Sequence, residues 1–151
     1  MMEYNVKKIH NLLHYDLTEL KEQSKAEGFR FVERVEEEYK TGENQFSNRG
    51  EALFGVFSEE EELVALAGLN KDPYSNDSTI GRVRRFYVNQ ELRRTGIGRL
   101  LINRLIMEAK LYFHTLILYT DTRKADSFYQ SVGFKKGFEY AKSTHYMNLD
   151  K

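Results

Sequence analysis

Between Thr79 and Tyr119 the hydrophobic pattern changes character twice, and this succession constrains the fold more than any other feature of the chain. Thr79 to Val88 reads as a strand. The bend Arg93-Arg94-Thr95-Gly96-Ile97-Gly98 follows, and Ile97 to Phe113 then has helical spacing. Leu101, Leu105 and Ala109, joined by Ile102 and Tyr112, form the inward stripe, while Arg99, Asn103, Arg104 and Lys110 take the other side. Thr115 to Tyr119 is a short apolar run of the kind a strand buried on both faces shows. Strand, helix and strand in that order make a βαβ crossover. The two strands should therefore be parallel neighbours, with the bend at the carboxyl end of the first, where open α/β sheets bind their ligands.

The bend itself is suited to an anion. Gly96 and Gly98 allow close backbone approach, the first amides of a helix lack internal partners, and the helix dipole favours negative charge there. Arg93, Arg94 and Arg99 add side-chain cations around the same spot. Two common phosphate motifs are excluded. The bend lacks the Gly-Lys-Ser/Thr ending of an ATP-binding loop, and Leu101 stands where a dinucleotide fingerprint needs its third small residue.

The rest of the chain supplies further elements around this unit. Tyr4 to Ile9 reads as a first strand, and Asp16 followed by Glu19 resembles a capping box for a helix ending near Gly28. Phe29 to Lys40 places Phe31, Val32, Val35 and Tyr39 on one side, with Gly42 as a C-cap. Ala52 to Phe57 and Leu63 to Leu69 form an expected antiparallel hairpin whose tip, Ser58 to Glu62, is a solvated acidic turn. Asp72 to Ser78 is turn chemistry. A last helix over Lys124 to Val132 ends at Gly133, and Lys135 to Ala141 with Thr144 to Leu149 read as closing strands.

With 151 residues, 40% of them hydrophobic, and a single proline, the chain reads as one domain spanning residues 1–151. The absence of cysteine excludes disulfides, thiolate metal sites and a cysteine nucleophile. The start, Met1-Met2-Glu3-Tyr4, has no apolar signal core and no run is long enough to span a bilayer, so a cytoplasmic protein with no membrane partner is expected. His10, His14 and His114 show no metal-ligand spacing, and no metal is expected. Arg82, Arg84, Arg85, Arg93, Arg94 and Arg99 could form a basic stripe for nucleic acid. The 23 basic and 23 acidic residues cancel, however, and no exposed aromatics interleave the arginines.

The pattern R-x-x-G-x-G between a strand and a helix resembles the pyrophosphate motif of the GNAT-type N-acetyltransferase superfamily. Arg85-Phe86-Tyr87-Val88 resembles the family strand ahead of the motif, Leu116 to Thr120 the strand after it, and Ala125-x-x-Phe128-Tyr129-x-x-x-Gly133-Phe134 its closing helix signature. The similarity runs from about Leu53 to Phe134. It implies an α/β (α+β) fold with a mixed, strongly twisted sheet of about six to seven strands and about four helices, the acyl-CoA N-acyltransferase architecture.

The resemblance also implies acetyl-CoA as donor and direct attack by an amine in a ternary complex. The pantetheine arm would pair with backbone at Phe86, Tyr87 and Val88, where the two parallel strands splay, and Phe128 would lie beside it. The pyrophosphate would sit on the bend from Arg93 through Thr95, Ile97 and Gly98 to Arg99. An exposed N–H on the splayed strand would polarise the thioester carbonyl, and Tyr129 is the family's usual general acid. Where the family often carries Asn, this chain has Thr122 beside Asp121; Thr122 substitutes through its hydroxyl, or one of the two is simply the helix N-cap.

The strand before the bend lacks the Glu that family members frequently use as base, carrying Arg82, Arg84 and Arg85 instead. His145 is the first choice, since its unperturbed pKa lies near neutrality, with Asp72 and Glu33 behind it. The acceptor, expected to be a small amine, would enter beside the first two helices and Asn70 to Tyr74. A monomer or homodimer is expected, and a non-catalytic CoA-binding regulatory module is the alternative.

Overall fold

Strand β2 (Ala52–Phe57) is buried at every position and β3 (Leu63–Lys71) at every position but the last. A sheet buried on both faces must carry helices on both sides, and the computed structural model, which describes residues 3–150, has that form. Strands β1 (Asn5–Lys8), β2, β3, β4 (Ile80–Val88), β5 (Thr115–Leu118), β6 (Lys135–Lys136) and β7 (His145–Asn148) form one sheet in the order β1-β2-β3-β4-β5-β7-β6. Only the β4–β5 pair is parallel, so the sheet is mixed.

The alternation of side chains along each strand divides the core in two. Phe54, Val56, Ala65, Leu69 and Val83 face helix α3 (Ile97–Tyr112) and helix α4 (Arg123–Ser131), meeting Leu101, Leu105, Ala109 and Tyr129. Leu53, Phe57, Leu66 and Tyr87 face helices α1 (Thr18–Ala26) and α2 (Phe31–Thr41), meeting Leu20, Val32, Val35 and Tyr39. Gly42, at φ 82°, ends α2 and donates its N–H to the carbonyl of Tyr39.

Several expectations are corrected. Tyr112 is 42% exposed, and its place in the stripe passes to Phe113, which is buried against Gly81 so closely that a Cβ there would come within 2.7 Å of the ring. Phe31 lies on the outside of α2, stacked on Phe29 with ring centroids 5.0 Å apart. Asp16 does accept from the Thr18 N–H, but Glu19 does not complete the box; it bonds Gln23 and Asn89 instead. The strand expected over Lys135 to Ala141 is only Lys135–Lys136, because the carbonyls of Ala141 and Lys142 are taken by the Arg82 guanidinium rather than by a neighbouring strand. Tyr119 is exposed beyond the end of β5, where the Leu118 carbonyl accepts the N–H of Thr144. Among the described residues no helix is long and apolar enough to cross a membrane, and no group of His, Cys, Asp and Glu could hold a metal ion.

Candidate active site

The parallel pair holds together only briefly. β4 pairs with β5 from Ile80 to Arg82, whereas it pairs with β3 through to Val88. Beyond Arg82 the two strands part, β4 staying with β3 and the end of β5 staying with the Thr144 segment. The Asn89 N–H donates to Val64 on the β3 side. By the strand's alternation, the backbone groups of Phe86 and Val88 therefore turn the other way, toward the opening. The Val88 carbonyl there accepts from Arg93 Nε at 3.1 Å.

A bulge sits at the same level. Gly68 pairs with Arg84 and Leu66 with Tyr87, so two steps on β3 match three on β4, and Arg85 adopts φ 61°. The extra residue puts Arg85 and Tyr87 on the α1–α2 face, where Arg85 holds both oxygens of Glu38 at 3.0 Å and the Tyr87 hydroxyl donates to Glu27. Sequence gave no sign of the bulge, because the residue at positive φ is an arginine rather than a glycine.

The bend presents a run of undonated backbone amides. Among the described residues, none of the six consecutive amides from Arg94 to Arg99 has an acceptor; the first satisfied N–H of α3 is that of Leu100, which donates to Gly96. Arg94 at φ 66° and Gly96 at φ 91° provide the left-handed turns that let successive N–H groups converge. A Cβ at Gly98 would sit 3.4 Å from the Phe128 ring and 3.7 Å from Val88, ordinary contact distances that place the helix start against Phe128 and Val88. The three arginines do different things. Arg94 is exposed and makes no bond to any described residue, and Arg99 bonds Ser131 of α4. Arg93, expected among the phosphate cations, instead pairs with Glu27 at 2.6 and 2.8 Å and lies over Tyr87. That pairing holds the Glu27 carboxyl down at about 2, with the Tyr87 and Gln90 hydrogen bonds adding to it. Arg93 thus braces the turn from behind.

Helix α4 crosses the opening. Thr122 is its N-cap, with Oγ1 accepting the Ala125 N–H at 3.2 Å, while Asp121 is exposed and caps nothing. Phe128 and Tyr129 pack on Phe86 of β4 with ring centroids 5.6 and 5.8 Å away. Tyr129 is also edge-on to Phe134 and lies 6.2 Å from the His145 ring. Its hydroxyl bonds no described residue, and the side chain is buried at 6% exposed. Burial pushes its pKa up.

His145 is 1% exposed and both ring nitrogens are engaged, Nε2 with Asp126 at 2.7 Å and Nδ1 with the Thr144 hydroxyl at 2.8 Å. The other two base candidates are tied as well. Asp72 is 3% exposed and bonded to Arg82 at 2.8 Å; Glu33 pairs with Arg30 at the outer end of α2.

A sheet opened between two parallel strands, with undonated amides of a helix start at its mouth, has the acyl-CoA N-acyltransferase architecture. The model of the acetyltransferase (GNAT) domain matches residues 50–136, and the chain belongs to that family. A candidate acetyltransferase of Exiguobacterium sp. 255-15 is 32% identical, with a TM-score of 0.86 over 97% of this chain and 94% of that one. A GNAT-family acetyltransferase of Staphylococcus aureus Mu50 shares the fold at 18% identity, with a TM-score of 0.75 over 98% of this chain and all of that one. So does a GNAT-family N-acetyltransferase of Escherichia coli solved in complex with CoA, at 12% identity and a TM-score of 0.69 over 99% of this chain and 82% of that one. No curated protein matches the chain.

Proposed function

We propose that the protein transfers the acetyl group of acetyl-CoA to the primary amine of a small molecule by direct attack in a ternary complex. The observation that carries this reading is the run of six undonated amides at one end of a splayed strand edge, beside a tyrosine hydroxyl with no partner among the described residues. The amides of Arg94 to Arg99 would hold the pyrophosphate, helped by the free Arg94 side chain. Backbone at Phe86 and Val88 would bond the pantetheine arm, and an N–H there would polarise the thioester carbonyl. Bound acetyl-CoA supplies the activated acetyl group; the residues supply position and charge.

Tyr129 would face the departing sulfur. An ordinary phenol titrates near 10 and a thiol near 8.5, and burial raises this tyrosine further. Its hydroxyl therefore keeps its proton and donates a hydrogen bond to the thiolate rather than giving the proton up. His145, with neither nitrogen free and the ring buried, would act through Tyr129 as a positioning residue, fixed by Asp126 and Thr144. The amine would shed its proton to water, so kcat/KM should rise with pH toward the amine's own pKa.

Thiol release from acetyl-CoA over a panel of amines tests the reading. Tyr129→Phe should lower turnover about 10- to 100-fold, the loss of one hydrogen bond to a charged group, while leaving CoA affinity within about twofold. The engagement of Asp72, Glu38 and Glu27 by arginines favours one other reading, a CoA-binding module without catalysis. Such a module would saturate with CoA and release no thiol with any amine.

A further inference from the structure

Arg82, Arg84 and Arg85 stand together on β4, and their side chains meet very different fates. Arg82 is 4% exposed and fully engaged, by Asp72 and by the carbonyls of Ala141 and Lys142. Arg85 is engaged by both oxygens of Glu38. Arg84 lies between them, half-buried, and its side chain makes no hydrogen bond or ion pair with any described residue. Its cross-strand neighbour is Gly68, where a Cβ would fall 2.2 Å from the Phe46 ring, so apolar surface closes in beside it. Burial, together with the charges of Arg85 and Arg82, holds its pKa below the usual guanidinium value.

The one carboxylate whose charge reaches Arg84 is that of Glu38, and both oxygens of Glu38 are already bonded by Arg85, so among the described residues a half-buried guanidinium is left with no hydrogen-bond partner of its own, an arrangement that is costly unless a ligand completes it. The neighbourhood adds to the imbalance. The Tyr74 ring has Arg82 at 5.0 Å on it and the Lys142 ammonium at 4.3 Å. Lys142 also lines a shallow cavity of about 390 Å³ with Tyr119, Phe138 and Tyr140. Four cations, Arg82, Arg84, Arg85 and Lys142, face two carboxylates, Asp72 and Glu38, in this corner. The corner lies on the α2 side of the bulge, across β4 from Phe86 and Tyr129.

The geometry points to Arg84 as the anchor for a carboxylate carried by the acceptor, so that the substrate is an amino acid-like amine. This assignment rests on the acetyl-transfer reading for its role, but the anion site is a property of the apoprotein. A planar guanidinium fork suits a carboxylate held through two parallel hydrogen bonds. A polyamine or other purely cationic acceptor would meet repulsion at the same place.

The test has a binding arm and a kinetic arm. In the binding arm, propionate should raise the melting temperature of the CoA-free protein at matched ionic strength, propionamide should not, and Arg84→Gln should abolish the difference. In the kinetic arm, glycine, β-alanine and longer ω-amino acids are each compared with their carboxamides. The acid of the best pair should be favoured about 10- to 100-fold in kcat/KM, and Arg84→Gln should erase that margin through KM, lowering kcat/KM for the acid far more than for the carboxamide. Arg84→Lys, which retains the charge but not the fork, should recover part of the preference. Equal responses to propionate and propionamide in the wild type, or an Arg84→Gln effect shared equally by acid and amide, would overturn the assignment. If no amine releases thiol but propionate still acts through Arg84, the transfer reading fails and the anion site stands.

Discussion

Gly96 and Gly42 form a natural pair for isolating what the bend contributes. Gly96 begins α3 at φ 91° and Gly42 ends α2 at φ 82°, and at both a Cβ would meet nothing within 4 Å. An alanine at either place therefore clashes with no neighbour, and its effect is that of backbone conformation alone. Both angles lie beyond the left-handed well near +57°, which itself disfavours an L-residue by about 1–2 kcal/mol. The two sites differ in what holds them. Gly42 donates to Tyr39 and cannot relax without breaking that bond, whereas the Gly96 N–H donates to no described residue, and only its carbonyl is held, by the Leu100 N–H.

Gly42→Ala should consequently lower stability by about 1–2 kcal/mol, a fall of roughly 2–8 °C in melting temperature for a chain of this size, and leave CoA binding unchanged. Gly96→Ala should let the turn relax in the free protein, with a smaller loss of stability. The strain would reappear on binding as a CoA affinity about 5- to 30-fold weaker. Thermal unfolding without ligand and isothermal titration with CoA measure the two halves separately. Equal losses of melting temperature in the two variants, with CoA affinity untouched in both, would refute the claim that the left-handed turn at Gly96 shapes the cradle.

Other consequences follow from the ion pairs. Asp72→Ala leaves the Arg82 guanidinium buried without its counter-charge and should destabilise the fold by about 3–5 kcal/mol in urea denaturation, whereas the double variant Asp72→Leu, Arg82→Met should recover much of that loss. Glu27 is held at about 2 by Arg93, and a carboxyl whose pKa is depressed on folding stabilises above its unfolded pKa and loses that contribution as pH falls through the folded value. The stability gap between the wild type and Glu27→Gln should therefore be full at pH 7 and should close between roughly pH 4.3 and pH 2. A gap independent of pH would mean that packing rather than charge makes Glu27 matter.

The elements that follow a periodicity or a cap could be read from the residues because each depends on near neighbours. The hairpin from Ala52, the βαβ unit and the glycine ends of α2 and α4 are of this kind. Long-range bonds escaped that reading. Arg82 reaches across to Asp72, Ala141 and Lys142 and so removes a strand that the pattern over Lys135 to Ala141 promised. Arg93, next to two glycines, looked like a phosphate ligand until Glu27, sixty-six residues away, claimed it.

The same division separates what the sequence determined by itself from what tertiary structure decided. Local spacing determined the order of elements and the parallel crossover, and the motifs carried the resemblance to the family. Tertiary structure decided the bulge that gives Arg85 a positive φ, the burial of both ring nitrogens of His145 in hydrogen bonds, and the isolation of Arg84 between two satisfied arginines. The physical reason is that whether a charge is paired depends on which distant groups folding brings to it, and three arginines within four residues look alike until their partners arrive.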